Sequence, residues 1–281
     1  MKLKKQLMTP EIDGFYGAYY PNDRATDKAV ILMLGDSSDD RMAVSGAKWL
    51  HMNGCHALCM SPDKKDYGHH SYPIERFGAA IGFLESRGIK KIGIAGASTT
   101  GMLALVAASY YPEITLTIAI SPSDFIMEAF YQDGKDGMRE RPGDNESTVT
   151  WQGKQLPYLP YAYRHPEYWM KIQEEEKIKV ERIKGHIIFI GAGDDVLWDT
   201  CKYIRRMEER LDTLPHDSTY TSLTYEFGTH FAFPESMLKI MLPAGGDLIT
   251  RVFKSGREHP AECRAVREDI DARLTEALRE W

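Results

Sequence analysis

Through the first 122 residues, short continuous apolar runs alternate with longer stretches whose apolar residues recur every three or four positions. Lys28–Gly35, Cys55–Ser61, Lys91–Gly96 and Leu116–Pro122 read as strands. Apolar runs of this kind, closed by Gly or Pro, suit strands covered on both faces. Helices are predicted between them. One spans Asp40–Met52 and is closed by Asn53-Gly54. A second spans Pro73–Ser86, with Ile74, Phe77, Ile81 and Leu84 on one stripe. A third, rich in Ala, Leu and Met, spans Ser98–Ser109. Repeated strand–helix units predict an α/β protein with a mostly parallel sheet and helices on both faces.

The pattern then breaks. Asp124–Gly185 is polar, aromatic and punctuated by Pro and Gly, with little strand character. A stretch this long is too much for a simple connection, so about 124–185 is read as a cap or lid inserted into a single domain spanning 1–281. Trp151, Tyr158, Tyr161, Tyr163, Tyr168 and Trp169 give it an aromatic character. These rings either line a substrate or pack the insertion onto the body, and one ring can do both. The alternation resumes with a strand over His186–Gly193, a helix over about Asp199–Leu211 and an alternating strand over Tyr220–Phe227. A final charged helix, Pro260–Trp281, carries Val266, Ile270, Leu274 and Leu278 on one stripe.

Composition narrows the class. The chain has 281 residues, 43% hydrophobic and 27% charged, ordinary for a globular protein. A net charge of −6 argues against a nucleic-acid partner, which usually meets a basic face. The longest apolar run, Ala29–Leu34, is far short of a membrane span, and the N-terminus lacks the apolar core of a signal peptide. Cys55 and Cys59 share a face of one predicted strand roughly 13 Å apart, too far to bridge. Four cysteines without zinc spacing suit reduced thiols and a cytoplasmic location. No ligand cluster or dinucleotide fingerprint is visible, so neither a metal nor another cofactor is expected.

The chemistry-bearing residues lie just past predicted strands. Gly96-Ala97-Ser98-Thr99-Thr100-Gly101 follows a buried strand and opens a helix. This is the setting of a nucleophile elbow, where a tight turn exposes a serine and demands small neighbours. Gly96 and Ala97 are small. Thr100 stands where G-x-S-x-G has its second glycine, and Gly101 follows one residue later. A plain turn with a serine cap would look similar. A serine nucleophile needs a base, and the base needs an orienting acid. Asp194 and Asp195 follow the strand ending at Gly193, and either could be that acid. His230, in Gly228-Thr229-His230, follows the strand ending at Phe227. The order serine, acid, histidine resembles the α/β-hydrolase superfamily. That topology implies an oxyanion hole with one donor from the backbone N–H of Thr99. The second donor would come from Asp36 or Ser37, with Asp36 placed first.

Further stretches sharpen the resemblance. Lys91–Asp124, the insertion segment Thr150–Pro160 with its W-x-G-K-x-L-P-Y-L-P run, and Ile178–Gly185 leading into Gly193–Trp198 resemble one family. It is the catalytic domain shared by acyl-CoA thioesterases and bile acid-CoA:amino acid N-acyltransferases. The resemblance covers roughly residues 28–281 and implies an α/β-hydrolase fold. It also implies Ser98 as nucleophile, Asp195 as acid and His230 as base. Trp198, three residues past Asp195, stands where family members place an apolar residue. Amino-acid transfer in that family goes with a cysteine nucleophile, so serine implies hydrolysis of an acyl thioester or ester. The expected partner is a small acyl substrate. A carboxylesterase or amide hydrolase would use the same residues. An inactive fold used only for binding would have Thr100 as its sign.

Overall fold

A computed structural model describes residues 3–34, 37–61, 70–133, 139–160 and 172–281. The N-terminal part contains strand β1 (Gln6–Met8), a single helical turn α1 (Pro10–Asp13) and β2 (Gly17–Tyr20). The alternating body follows: β3 (Lys28–Met33), α2 (Arg41–Met52), β4 (His56–Met60), a two-residue β5 (Tyr72–Pro73), α3 (Glu75–Ser86), β6 (Lys91–Ala97), α4 (Thr99–Tyr110) and β7 (Ile114–Ile120). The region after β7 holds β8 (Glu128–Asp133), β9 (Arg139–Ser147), β10 (Val149–Trp151) and β11 (Lys154–Gln155). The body resumes with β12 (His186–Ala192), α5 (Thr200–Thr213) and β13 (Thr219–Tyr225). Three short helices, α6 (Glu235–Met241), α7 (Gly246–Thr250) and α8 (Lys254–Glu258), precede α9 (Pro260–Glu280).

Among the described residues, the main sheet has the order β1-β2-β4-β3-β6-β7-β12-β13. From β4 through β13 every neighbouring pair is parallel; β2 runs antiparallel to both β1 and β4. This is an α/β-hydrolase-type arrangement, a mixed, mostly parallel sheet between two helical layers. Alternation along β3 shows why its sequence is unbroken in hydrophobicity. Ala29, Ile31 and Met33 face one core with Phe77, Ile81 and Leu84 of α3, α4, and Tyr203, Ile204 and Met207 of α5. Val30 and Leu32 face the other, with Ala43, Ala47 and Leu50 of α2 and Ile270, Leu274 and Leu278 of α9. Both faces of the strand are thus withdrawn from water. Helix α4 is buried from Thr99 through Ala108, which explains its all-round apolar sequence.

The order β4-β3-β6 places successive connections on opposite sides of β3. The carboxyl ends of β3 and β6 therefore flank a topological switch point, where open α/β sheets leave a crevice.

Two stretches differ from the pattern-based reading. The residues before Lys28 form the hairpin-like pair β1 and β2, which extends the sheet beyond β4 with Gln6 opposite Tyr19. The 124–185 stretch, expected to have little strand character, contains the antiparallel pair β8 and β9. It also contains a small sheet in which β10 pairs with β11 and with β5. Trp151 there packs against Tyr110 and Tyr111, at ring-centroid distances of 4.9 and 6.2 Å. That contact is a packing role. Tyr158 also packs against the core, while Tyr161, Tyr163, Tyr168 and Trp169 lie outside the described residues.

Candidate active site

Strand β6 ends at Ala97 and α4 begins at Thr99, so Ser98 alone makes the turn. Its backbone has φ 61 and ψ −129. That positive φ costs a non-glycine residue on the order of 1–3 kcal/mol, and such residues cluster where function requires them. Bonds on both sides hold it. The Ser98 N–H donates to the Ile120 carbonyl at 2.8 Å, and the Ser98 carbonyl accepts from the Met102 N–H at 3.1 Å. A Cβ on Gly96 would collide with the Thr100 backbone carbonyl, and one on Gly101 would come within 2.9 Å of the Ile120 oxygen. These two glycines let the start of α4 close onto β6 and β7. Thr99, first residue of α4, has no carbonyl one turn back within the helix to accept its N–H.

Asp195 and His230 meet across the ends of β12 and β13. His230 Nδ1 lies 2.8 Å from Asp195 Oδ2, with both side chains almost fully buried. A carboxylate oxygen can only accept, so Nδ1 carries a proton, and in the neutral imidazole Nε2 then presents a lone pair. Nε2 is buried and has no hydrogen-bond partner among the described residues. Three further contacts hold the carboxylate. Oδ1 accepts from the backbone N–H groups of Leu197 at 3.0 Å and Trp198 at 3.5 Å, and Oδ2 accepts from the Thr200 hydroxyl at 2.5 Å. Asp194 makes no such pair. Asp199 instead caps α5, its carboxylate accepting from the Lys202 N–H.

A clasp that the sequence did not announce ties this pair to the Ser98 turn. Ser121 is completely buried, sits directly after β7 and has φ 47 despite preceding Pro122. A residue before proline is normally driven to extended backbone, so this conformation is held by its surroundings. The Ser121 hydroxyl donates to the His230 carbonyl at 3.2 Å. Its own carbonyl accepts from Trp198 Nε1–H at 3.1 Å, and its N–H donates to the Ile190 carbonyl at 2.8 Å. The Trp198 ring stands edge-on to the His230 imidazole, centroids 4.9 Å apart. Since the preceding residue, Ile120, accepts from Ser98, one bend after β7 joins serine, histidine and the residues flanking Asp195. The Ser-Pro pair at a strand end was the one sequence sign of this bend.

The loop after β3 is only partly described. Asp36, expected to give the second oxyanion donor, lies outside the described residues. The alternative from that loop, the Ser37 N–H, donates to Asp40 Oδ2 at 3.2 Å, and the Asp40 side chain also caps α2 through Ala43. Past β7, Asp124 is buried against Arg206, whose Nε donates to Oδ2 at 2.7 Å. Burial raises the Asp124 carboxyl above its ordinary value, and Arg206 acts in the opposite sense. Among the described residues, no group of three or more His, Cys, Asp and Glu is arranged to hold a metal ion. No described helix is long and apolar enough to cross a membrane.

Residues 72–237, more than half of the chain, match the family described as BAAT / Acyl-CoA thioester hydrolase C terminal. The chain belongs to that family. Ser98, Asp195 and His230 all fall inside the span that matches the BAAT / acyl-CoA thioester hydrolase family, as does the Trp151–Pro160 run; Asp36 lies outside it. No curated protein sequence matches the chain. Solved structures do. MGS-M1, an alpha/beta hydrolase from a Medee basin deep-sea metagenome library, is 14% identical with a TM-score of 0.60, covering 99% of each chain. The esterase Pf2001 of Pyrococcus furiosus is 16% identical with a TM-score of 0.57, covering 100% of this chain and 91% of that one. Est1E from Butyrivibrio proteoclasticus is 13% identical with a TM-score of 0.51, covering 98% and 96%. At these identities the likeness establishes the α/β-hydrolase fold.

Proposed function

We propose that this chain is a serine hydrolase that cleaves an acyl thioester or ester through an acyl-enzyme, with an acyl-CoA thioester as the favoured substrate. The observation that carries the reading is the buried Asp195–His230 pair with an unpartnered Nε2, tied through Ser121 to the strained turn bearing Ser98. Membership of a family described by acyl-CoA thioester hydrolysis supports the leaving group.

In this reading His230 Nε2 takes the Ser98 hydroxyl proton as the oxygen attacks the substrate carbonyl carbon. The carbonyl electron pair moves to oxygen, and the backbone N–H groups of Thr99 and Asp36 stabilise that charge. The intermediate collapses, the bond to sulfur or oxygen breaks, and His230 returns the proton to the departing group. A thiol needs less help than an alcohol, because a thiolate is the weaker base. Water then gives a proton to His230, attacks the acyl-serine and releases the carboxylic acid, and Ser98 regains its proton. Asp195 holds the imidazole in the required tautomer throughout. The 124–185 stretch acts as a lid that selects the acyl group, and the enzyme works in the cytoplasm.

A simple carboxylesterase is the second reading, favoured by the structural likeness to Pf2001, an esterase. A panel separates the two: short-, medium- and long-chain acyl-CoAs beside p-nitrophenyl esters, each with Ser98→Ala as control. Acyl-CoA turnover lost in Ser98→Ala is the expected result. Turnover of esters alone would remove CoA from the reading. Absence of any turnover, together with no labelling of Ser98 by a fluorophosphonate, would overturn the hydrolase reading itself.

A further inference from the structure

Thr100 departs from the small-residue pattern of the elbow, and the structure gives its side chain a place. Crowding is avoided at Gly96 and Gly101 rather than at position 100. The Thr100 side chain is buried in the gap between the ends of β6 and β3. Its hydroxyl oxygen accepts from the Ala97 N–H at 2.9 Å. Its single proton lies between two carbonyl oxygens, those of Met33 at 2.8 Å and Ala97 at 2.7 Å. Met33 is the last residue of β3, and the β3–β6 ladder ends with Met33 opposite Gly96. The Thr100 hydroxyl therefore extends the connection one step past the last rung, across the switch point. On one side of it is the turn carrying Ser98. On the other is the carboxyl end of β3. Glycine at position 100 could make none of these bonds.

We infer that Thr100 is a positioning residue: its hydroxyl fixes the Ser98 turn against the carboxyl end of β3. This rests on the proposed serine-hydrolase reading. Loss of the hydroxyl loosens the nucleophile's turn without touching substrate. The effect should fall on the chemical step rather than on substrate capture.

The test compares Thr100→Val, which keeps shape and loses the hydroxyl, with Thr100→Ser, which keeps the hydroxyl, and with Thr100→Gly. Readouts are kcat and KM on a p-nitrophenyl ester, the rate of fluorophosphonate labelling of Ser98, and thermal unfolding. Thr100→Val should lose kcat and labelling rate about tenfold to a hundredfold with KM within about twofold. That is less than the roughly 10²–10³-fold loss when a whole oxyanion donor is removed. Thr100→Ser should stay within about threefold of wild type, and Thr100→Gly should fall like Thr100→Val. Should Thr100→Val not fold, the smaller Thr100→Ala serves in its place. A hydroxyl-free variant with wild-type kcat overturns the inference, as does a serine variant that falls as far as valine. If the wild type itself neither turns over ester nor labels, the hydrolase reading fails and this inference with it. An active wild type with an indifferent Thr100→Val variant overturns the inference alone.

Discussion

Replacing Asp195 with asparagine should switch the proposed enzyme off while leaving it folded, and the structure says how. Oδ1 of Asp195 faces two backbone donors, the N–H groups of Leu197 and Trp198. In Asp195→Asn the amide oxygen must stay on that side, because an NH₂ group there would confront donors. The NH₂ group then takes the place of Oδ2 and points at His230 Nδ1, now 2.8 Å from a donor instead of an acceptor. His230 answers by carrying its proton on Nε2. In that tautomer it cannot accept the Ser98 proton. The equivalent change in a serine-protease triad lowers kcat about 10⁴-fold, or roughly 5.4 kcal/mol of barrier. Stability should change much less. The Leu197 and Trp198 bonds survive as neutral ones, the Thr200 hydroxyl turns from donor to acceptor, and the lost charge assistance should cost about 1–2 kcal/mol. In a chain of this size that moves Tm by no more than about 2–8 °C. The assay is ester hydrolysis at saturating substrate beside a thermal melt. An Asp195→Asn protein that melts near wild type and keeps more than a tenth of its kcat would refute the tautomer argument.

Two further outcomes follow from buried charge. Arg267 and Glu235 are both almost fully buried, with Arg267 Nε 2.6 Å from Glu235 Oε2 and Nη2 2.6 Å from Asp247 Oδ1. Arg267→Met strands the carboxylate and should cost about 3–5 kcal/mol, toward the lower end because Lys239 Nζ is 3.7 Å away. Adding Glu235→Leu should recover most of that loss in a urea titration, and an unrecovered double variant would contradict the charge argument. His56 gives a pH dependence. Burial lowers its pKa, opposed by the Thr26 carbonyl and reinforced by His51. Its Nδ1 faces the Tyr19 hydroxyl at 2.7 Å and the Asn22 N–H at 3.1 Å, so protonation sets donor against donor. With the folded value below the unfolded one, its stabilisation is complete above about pH 6.5 and is lost as pH falls through the folded value. Tm should drop between pH 7 and 5, and His56→Gln should flatten part of that drop. His186, also lowered by burial, accounts for more of it. A wild-type curve flat over this range would count against both histidines.

The sheet was largely readable because β3, β6, β7 and β12 are sandwiched between helical layers and so are written as unbroken apolar runs. β1 and β2 were not readable. They are three and four residues long, and β1 is exposed at its first two positions, so no run or alternation marks it. β9 carries Pro142-Gly143 within a strand, a pair that sequence reasoning assigns to a turn. Ser98, Asp195 and His230 could be proposed because each follows a legible strand. Position left Asp194 and Asp195 open and the family resemblance, with Trp198, pointed to Asp195; in the structure Asp195 is the one that contacts His230 and Thr200. Ser121, Trp198 and, through Met33, Thr100 act on atoms distant in the chain. Apart from the Ser121-Pro122 pair, nothing local to them reports those contacts.

Strands β7 and β12 lie side by side in register, Leu116 opposite His186 through Ile120 opposite Ile190, yet roughly 65 residues separate them in the chain. A bare helical crossover between parallel neighbours needs only a dozen or so residues. The entropy of closing a flexible loop grows with the logarithm of its length. Going from about 15 to about 65 residues therefore costs only about 1.3 kcal/mol more. Outside the Ser121 bend and the residues it gives to the core, such as Phe125, Val149 and Ile178, the stretch between these strands can change in length at little cost in closure entropy to the sheet that carries Ser98, Asp195 and His230. Lineages sharing this scaffold can vary the length of that stretch while inheriting the strand ends unchanged.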